Sequence, residues 1–74
     1  MAKRAETVAK AVGKRIRDLR KQKGWSQEAL ADGAEMHRTY MWGIERGSRN
    51  PSLGHLTRIA DALEVPLSAL FDGV

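Results

Sequence analysis

Little in this chain is equipped for covalent chemistry. His37 and His55 stand too far apart in sequence to suggest a ligand pair, and no cysteine can serve as nucleophile or metal thiolate. The carboxylates are scattered along the chain, and Gly43 and Gly47 fall around a helix end rather than in a phosphate-cradling loop. Neither an enzyme, a metal site nor a cofactor is therefore expected. What remains is hydrogen bonding and charge, concentrated in Gln27–Gly47, QEALADGAEMHRTYMWGIERG. This stretch reads as two short helices joined by a tight turn. Ala31, Ala34, Met36, Met41 and Ile44 supply its buried side, and Arg38, Thr39, Trp42 and Gly43 stay outward on the second run. Arginine can grip guanine O6 and N7 with two hydrogen bonds, and threonine can meet a thymine methyl. A small buried edge under a polar outer face suits a helix offered to a DNA groove.

Helices this short are unstable alone in water, so other elements must hold them. Ser26 is a good N-cap for Gln27–Ala34, with Trp25 and Leu30 placed as a hydrophobic staple; Met36 and Met41 repeat the staple around the second run. Upstream, Val8, Val12, Ile16 and Leu19 form the buried stripe of an amphipathic helix that Gly24 ends. Arg20 lies close to that stripe and needs a partner, for which Glu45 is the candidate. Downstream, Gly47–Pro51 reads as a loop. Ser52 then caps a fourth helix with Leu53, Leu56, Ile59, Ala60 and Leu63 inward. Val65-Pro66 breaks it, and Leu67, Leu70 and Phe71 predict a short fifth helix. No β-alternation, repeat or low-complexity tract is visible. The expectation is an all-α, compact five-helix domain over residues 8–74, behind a flexible basic lead-in at 1–7.

Seventy-four residues make one domain, near the lower size at which a single core is stable unaided. No apolar run approaches a membrane span, no signal-peptide core follows the N-terminus, and cysteine is absent, so a cytoplasmic protein is expected. Net charge is +4, unevenly spread. Residues 1–23 hold nine Lys/Arg and two acids, whereas residues 24–74 hold four Arg and seven acids. A basic N-terminal third points to a polyanion, either nucleic acid or an anionic membrane surface; composition does not choose between them or against a solvated helix face.

The pieces IRDLRKQKGWSQEALA, RTYMWGIERGSRNPSL and IADALEVPLSALF, taken in order, resemble the Cro/C1-type (Xre-like) helix-turn-helix family from about Val12 to Phe71. Within it the narrower resemblance is to the small controller proteins of restriction–modification systems, which carry a stretch like Arg38–Leu53. The resemblance implies a lambda-repressor-like fold and a repressor or controller of transcription that binds double-stranded DNA, without a membrane, as a homodimer on a palindromic operator. An antitoxin that binds a protein partner and its own promoter is the alternative. Glu35 and Glu64 depart from the family, standing where it usually or often has glycine, and Gly33 weakens the second helix.

Site roles follow from the resemblance. Arg38 and Thr39 match its base-reading positions. Gln27, Tyr40, Arg46, Arg49 and Asn50 match or flank its contacts to the DNA backbone, with a core tyrosine and a solvated turn as the plainer readings of Tyr40 and the loop. His37, Trp42 and Gly43 lie on or beside the DNA-facing side without an assigned contact. Trp42 replaces a usually small or polar residue. It could touch sugar or thymine methyl, stack on Arg38, or cover the second helix. Arg20 and Glu45 correspond to a structural pair bridging the first and third helices; Leu67, Leu70 and Phe71 are expected at a dimer surface, with all three in the core as the plainer reading.

Overall fold

The computed structural model describes residues 2–74. Four α-helices, α1 (Ala2–Gln22), α2 (Gln27–Gly33), α3 (Arg38–Arg46) and α4 (Leu53–Leu63), precede one 3₁₀ turn at Leu67–Phe71, and no strand occurs among the described residues. α1 starts at Ala2, ahead of Val8, and so runs through the basic lead-in. The expected fifth helix is not an α-helix. Its five residues close with i→i+3 bonds, Ala69 N–H to Pro66 O at 2.9 Å and Asp72 N–H to Ala69 O at 3.4 Å. Pro66 and the left-handed Gly73 (φ 81°) confine it to a short piece, the setting in which the tighter turn is commonly found.

All four helices stop in the same way. Just beyond each end an N–H bonds back five residues: Trp25 to Arg20, Met36 to Ala31, Ser48 to Gly43, Val65 to Ala60. The residue before each of these bonds back three and is left-handed: Gly24, Glu35, Gly47 and Glu64, with φ of 73°, 54°, 79° and 59°. These are Schellman motifs, which satisfy carbonyls the helix leaves orphaned. Trp25, Met36 and Val65 then tuck against the core. Glu35 and Glu64 thus keep the turn geometry that glycine would hold, at roughly 1 kcal/mol each relative to Gly. Starts are equally regular: Ser26 Oγ accepts from Ala29 N–H at 3.0 Å and Ser52 Oγ from His55 N–H at 3.1 Å.

The core gathers Val12, Ile16 and Leu19 of α1, Leu30 and Ala31 of α2, Met41 and Ile44 of α3, and Leu56, Ile59, Ala60 and Leu63 of α4, with Ala34 and Leu70. Leu53, expected in the α4 stripe, is 68% exposed, because the first residue of α4 lies beyond the edge of this core. Two glycines let α1 lie directly on the end of α3. A Cβ on Gly13 would collide with the backbone carbonyl oxygen of Ile44 and stand 2.8 Å from that of Glu45; one on Gly47 would come 2.7 Å from Lys10 Cα. Arg15 ties the 3₁₀ turn to α1, donating from Nε to Ala69 O at 2.8 Å and pairing with Asp72 at 3.6 Å.

Candidate nucleic-acid interface

α3 is divided lengthwise. Met41 and Ile44 are sealed in the core and the Glu45 side chain is 2% exposed, while Arg38, Thr39, Trp42 and Arg46 are exposed. The helix begins on His37, whose Nδ1 accepts from Thr39 N–H at 3.3 Å. His37 therefore caps α3. Its position between the Met36–Met41 staple residues could have revealed this, but histidine is an uncommon cap. Gly43, read as outward, is buried: the Arg49 side chain lies across it, with Cγ 2.5 Å from where a Cβ would stand. Its carbonyl also collects Ser48 N–H at 3.0 Å and Arg49 N–H at 3.2 Å. Gly43 thus seats the loop after α3 and is removed from the outward set.

The inner edge of α3 is held by charge. Arg20 faces Glu45 with two hydrogen bonds, Nε to Oε2 at 2.7 Å and Nη2 to Oε1 at 3.0 Å, and its Nη1 donates to Trp25 O at 2.7 Å. Gln27 Nε2 completes the cluster, donating to Glu45 Oε1 at 3.0 Å. Every polar atom buried here is partnered, the condition under which a buried pair stabilises rather than penalises. The Glu45 carboxylate therefore joins α1, α2 and α3, and Arg20 extends the cluster to the α1–α2 turn. Gln27 is half-buried, so the residue expected at the DNA backbone fixes α3 in position.

Tyr40, Arg49 and Asn50 form a second group. The Tyr40 hydroxyl donates to Asn50 O at 3.3 Å, and its ring meets His55 edge-on at 4.8 Å and lies 5.8 Å from the Arg49 guanidinium carbon. A phosphate only accepts, so Tyr40 cannot donate to one while it holds the loop; here it positions Arg49 and Asn50. Neither of these side chains pairs with an acid among the described residues.

Arg38 is not idle. Its Nη1 lies 3.0 Å from Glu28 Oε2, with both side chains more than half exposed. Trp42 stacks one turn forward, under Arg46 at 4.3 Å, and not back on Arg38. Beside it, Arg17, Gln27, Trp42 and Arg46 line an open hollow of about 290 Å³ whose floor is the Arg20–Glu45 pair. Sequence offers Arg17 and Lys14 alike as sources of diffuse attraction to DNA. The place of Arg17 three residues before Arg20 puts both on one helix face. Lys14 and Lys23, by contrast, pair with Asp18 and Glu64. Of the expected dimer residues, Leu70 is wholly buried in the core of the single chain, Leu67 is half-buried and Phe71 is 39% exposed. Leu70 therefore cannot face a second copy.

Among the described residues no group of His, Asp or Glu is gathered to hold a metal ion, and no helix is long and apolar enough to cross a membrane. Comparison with known proteins agrees with the geometry. The chain is similar to the control protein C.BamHI of Bacillus amyloliquefaciens, 44% identical over 61 residues that cover 81% of this chain and 75% of that protein. It superposes on the restriction–modification controller C.AhdI from Aeromonas hydrophila with a TM-score of 0.84 at 43% identity, covering 85% of this chain and 96% of that one. It also superposes on the controller C.Esp1396I, solved as a tetramer with its natural 35 base-pair operator, with a TM-score of 0.80 at 38% identity over 88% and 86% of the two chains. A helix-turn-helix family model matches residues 16–70, which takes in the buried pair, both short helices and the 3₁₀ turn to Leu70. With the match spanning most of its length, the chain belongs to the Cro/C1-type helix-turn-helix family.

Proposed function

We propose that this chain is a sequence-specific DNA-binding regulator of transcription, a cytoplasmic homodimer on a palindromic operator that serves as the controller of a restriction–modification system. The observation that carries the reading is the division of α3: its inner edge is locked by Arg20, Gln27 and Glu45 while Arg38, Thr39, Trp42 and Arg46 project from its outer face. A helix so fixed can enter the major groove without losing its geometry. Arg38 and Thr39 meet base edges. Gln27, Arg46, Arg49, Asn50 and the added Arg17 attend to phosphates, which position the protein without reading sequence. One such helix sees only a few base pairs, so two copies read half-sites whose centres lie about 34–36 Å apart. The longest extent of one domain, 32 Å, is compatible with that spacing. Phe71 and Leu67 supply the apolar contact between copies. The similarity to controllers supports this reading, and nothing among these relatives favours an antitoxin.

The test is a gel shift on palindromic DNA across a salt series. Arg38→Ala relaxes discrimination at one base by about 1–3 kcal/mol, while Arg49→Ala weakens all sequences alike and flattens the salt slope. The opposite assignment of effects would exchange the two roles.

A further inference from the structure

We infer that Trp42 reads the C5-methyl group of a thymine in the major groove, with Arg46 as the residue that positions its ring. The inference deepens the DNA-binding reading and rests on it. At about 100° per residue, Trp42 falls ~40° round α3 from Arg38, Arg46 ~80° and Thr39 ~100°, so the indole stands within the outward arc rather than at its edge. Trp42 lies outside the buried core and is 48% exposed as a residue. No packing requirement of the single chain explains a large apolar surface on a face otherwise polar.

The indole is also covered on one face. Arg46, one turn on, lays its guanidinium 4.3 Å over the ring, and this contact can strengthen as solvent is excluded. Arg46 makes no hydrogen bond or ion pair among the described residues, so its N–H edge remains available to a phosphate while its face stays on Trp42. The hollow that Arg17, Gln27 and Arg46 share with Trp42 places donors for the DNA backbone on one flank of the ring, with Arg38 one turn back along the helix. Favoured in one orientation by this contact, the ring loses less freedom on binding than a wholly unsupported one.

Base chemistry then selects the target. Indole offers one N–H donor and no acceptor, and its remaining edge is apolar. Thymine carries an apolar methyl on C5 at its major-groove edge, where cytosine has only a hydrogen beside its amino donor. An apolar ring in the reading arc therefore favours thymine over cytosine beneath it.

The experiment starts from DNA selected by the full chain out of a random library. Each thymine of a half-site is replaced in turn by deoxyuridine, which removes only the methyl. For the unaltered protein, one position per half-site loses about fourfold in affinity, the equivalent of one buried methyl group. Trp42→Ser loses nothing at that position yet keeps its dependence on Arg38 elsewhere. Arg46→Lys retains the charge but not the flat stack, so it shrinks the methyl effect while preserving the salt slope. Identical deoxyuridine profiles for the unaltered protein and Trp42→Ser would overturn the inference and leave the DNA-binding reading standing. Failure of the unaltered chain to select any DNA would overturn both.

Discussion

Replacing Arg20 by alanine should nearly unfold this domain. The side chain supplies two hydrogen bonds to Glu45 and one to Trp25 O, all at 3.0 Å or less. Without it, a carboxylate whose side chain is 2% exposed keeps a single partner among those described here, Gln27 Nε2. Leaving one side of a buried pair uncompensated costs about 3–5 kcal/mol. A 74-residue domain has roughly 4–11 kcal/mol in all, at about 0.05–0.15 kcal/mol per residue. With a urea dependence of about 1 kcal/mol per molar, the midpoint should fall by roughly 3 M or more. Equilibrium urea unfolding followed by circular dichroism measures this directly. The companion variant Arg20→Met/Glu45→Met separates a missing contact from an orphaned charge. It removes both ions at similar volume, and should cost less than either single loss, below about 2 kcal/mol. A shift under 1 kcal/mol for Arg20→Ala, or a double variant costing the sum of two single losses, would refute the reasoning.

Three other substitutions probe separate parts of the fold. Glu35→Gly, at a left-handed position with φ 54°, should stabilise by about 1 kcal/mol and raise the midpoint of thermal unfolding. Gly13→Ala should destabilise by about 1–3 kcal/mol in the same assay, because α1 must move off the Ile44 and Glu45 carbonyls. Glu28→Gln removes the carboxylate 3.0 Å from Arg38. Being an exposed pair, it should change stability by no more than about 1 kcal/mol, while low-salt titration should show tighter binding to every DNA sequence.

Much of this architecture could be read from residue types. The α1 stripe, the Ser26 and Ser52 caps and the break at Val65-Pro66 each follow from local rules, and the structure has them in place. Arg20 and Glu45 pair across 25 residues because a charge beside an apolar stripe requires an opposite partner. What sequence missed depends on contacts between distant segments. Gly13 looks like a mild flaw in a helix until α3 crosses it. Gly43 looks outward by helical angle, but the returning loop lays Arg49 over it. Leu70 reads as either a dimer contact or a core residue, and only its burial among α1 and α4 decides for the core. The 3₁₀ form of the last turn depends on how few residues separate Pro66 from Gly73, so periodicity had too little chain to register. At Tyr40 a plausible phosphate donor is already committed to Asn50 O, which only the path of the α3–α4 loop reveals.

The lengthwise division of α3 has a consequence for how such a regulator can diverge. Stability resides in Met41, Ile44 and Glu45, whereas Arg38, Thr39 and Trp42 contribute almost nothing to the core. Outward positions can therefore change without first acquiring compensating mutations inside. Retargeting to a new operator is a matter of a few exchanges on one exposed strip, each assessed by the DNA and scarcely by the fold. Two copies of such a gene in one cell could drift into mutually insulated circuits while their scaffolds remained interchangeable.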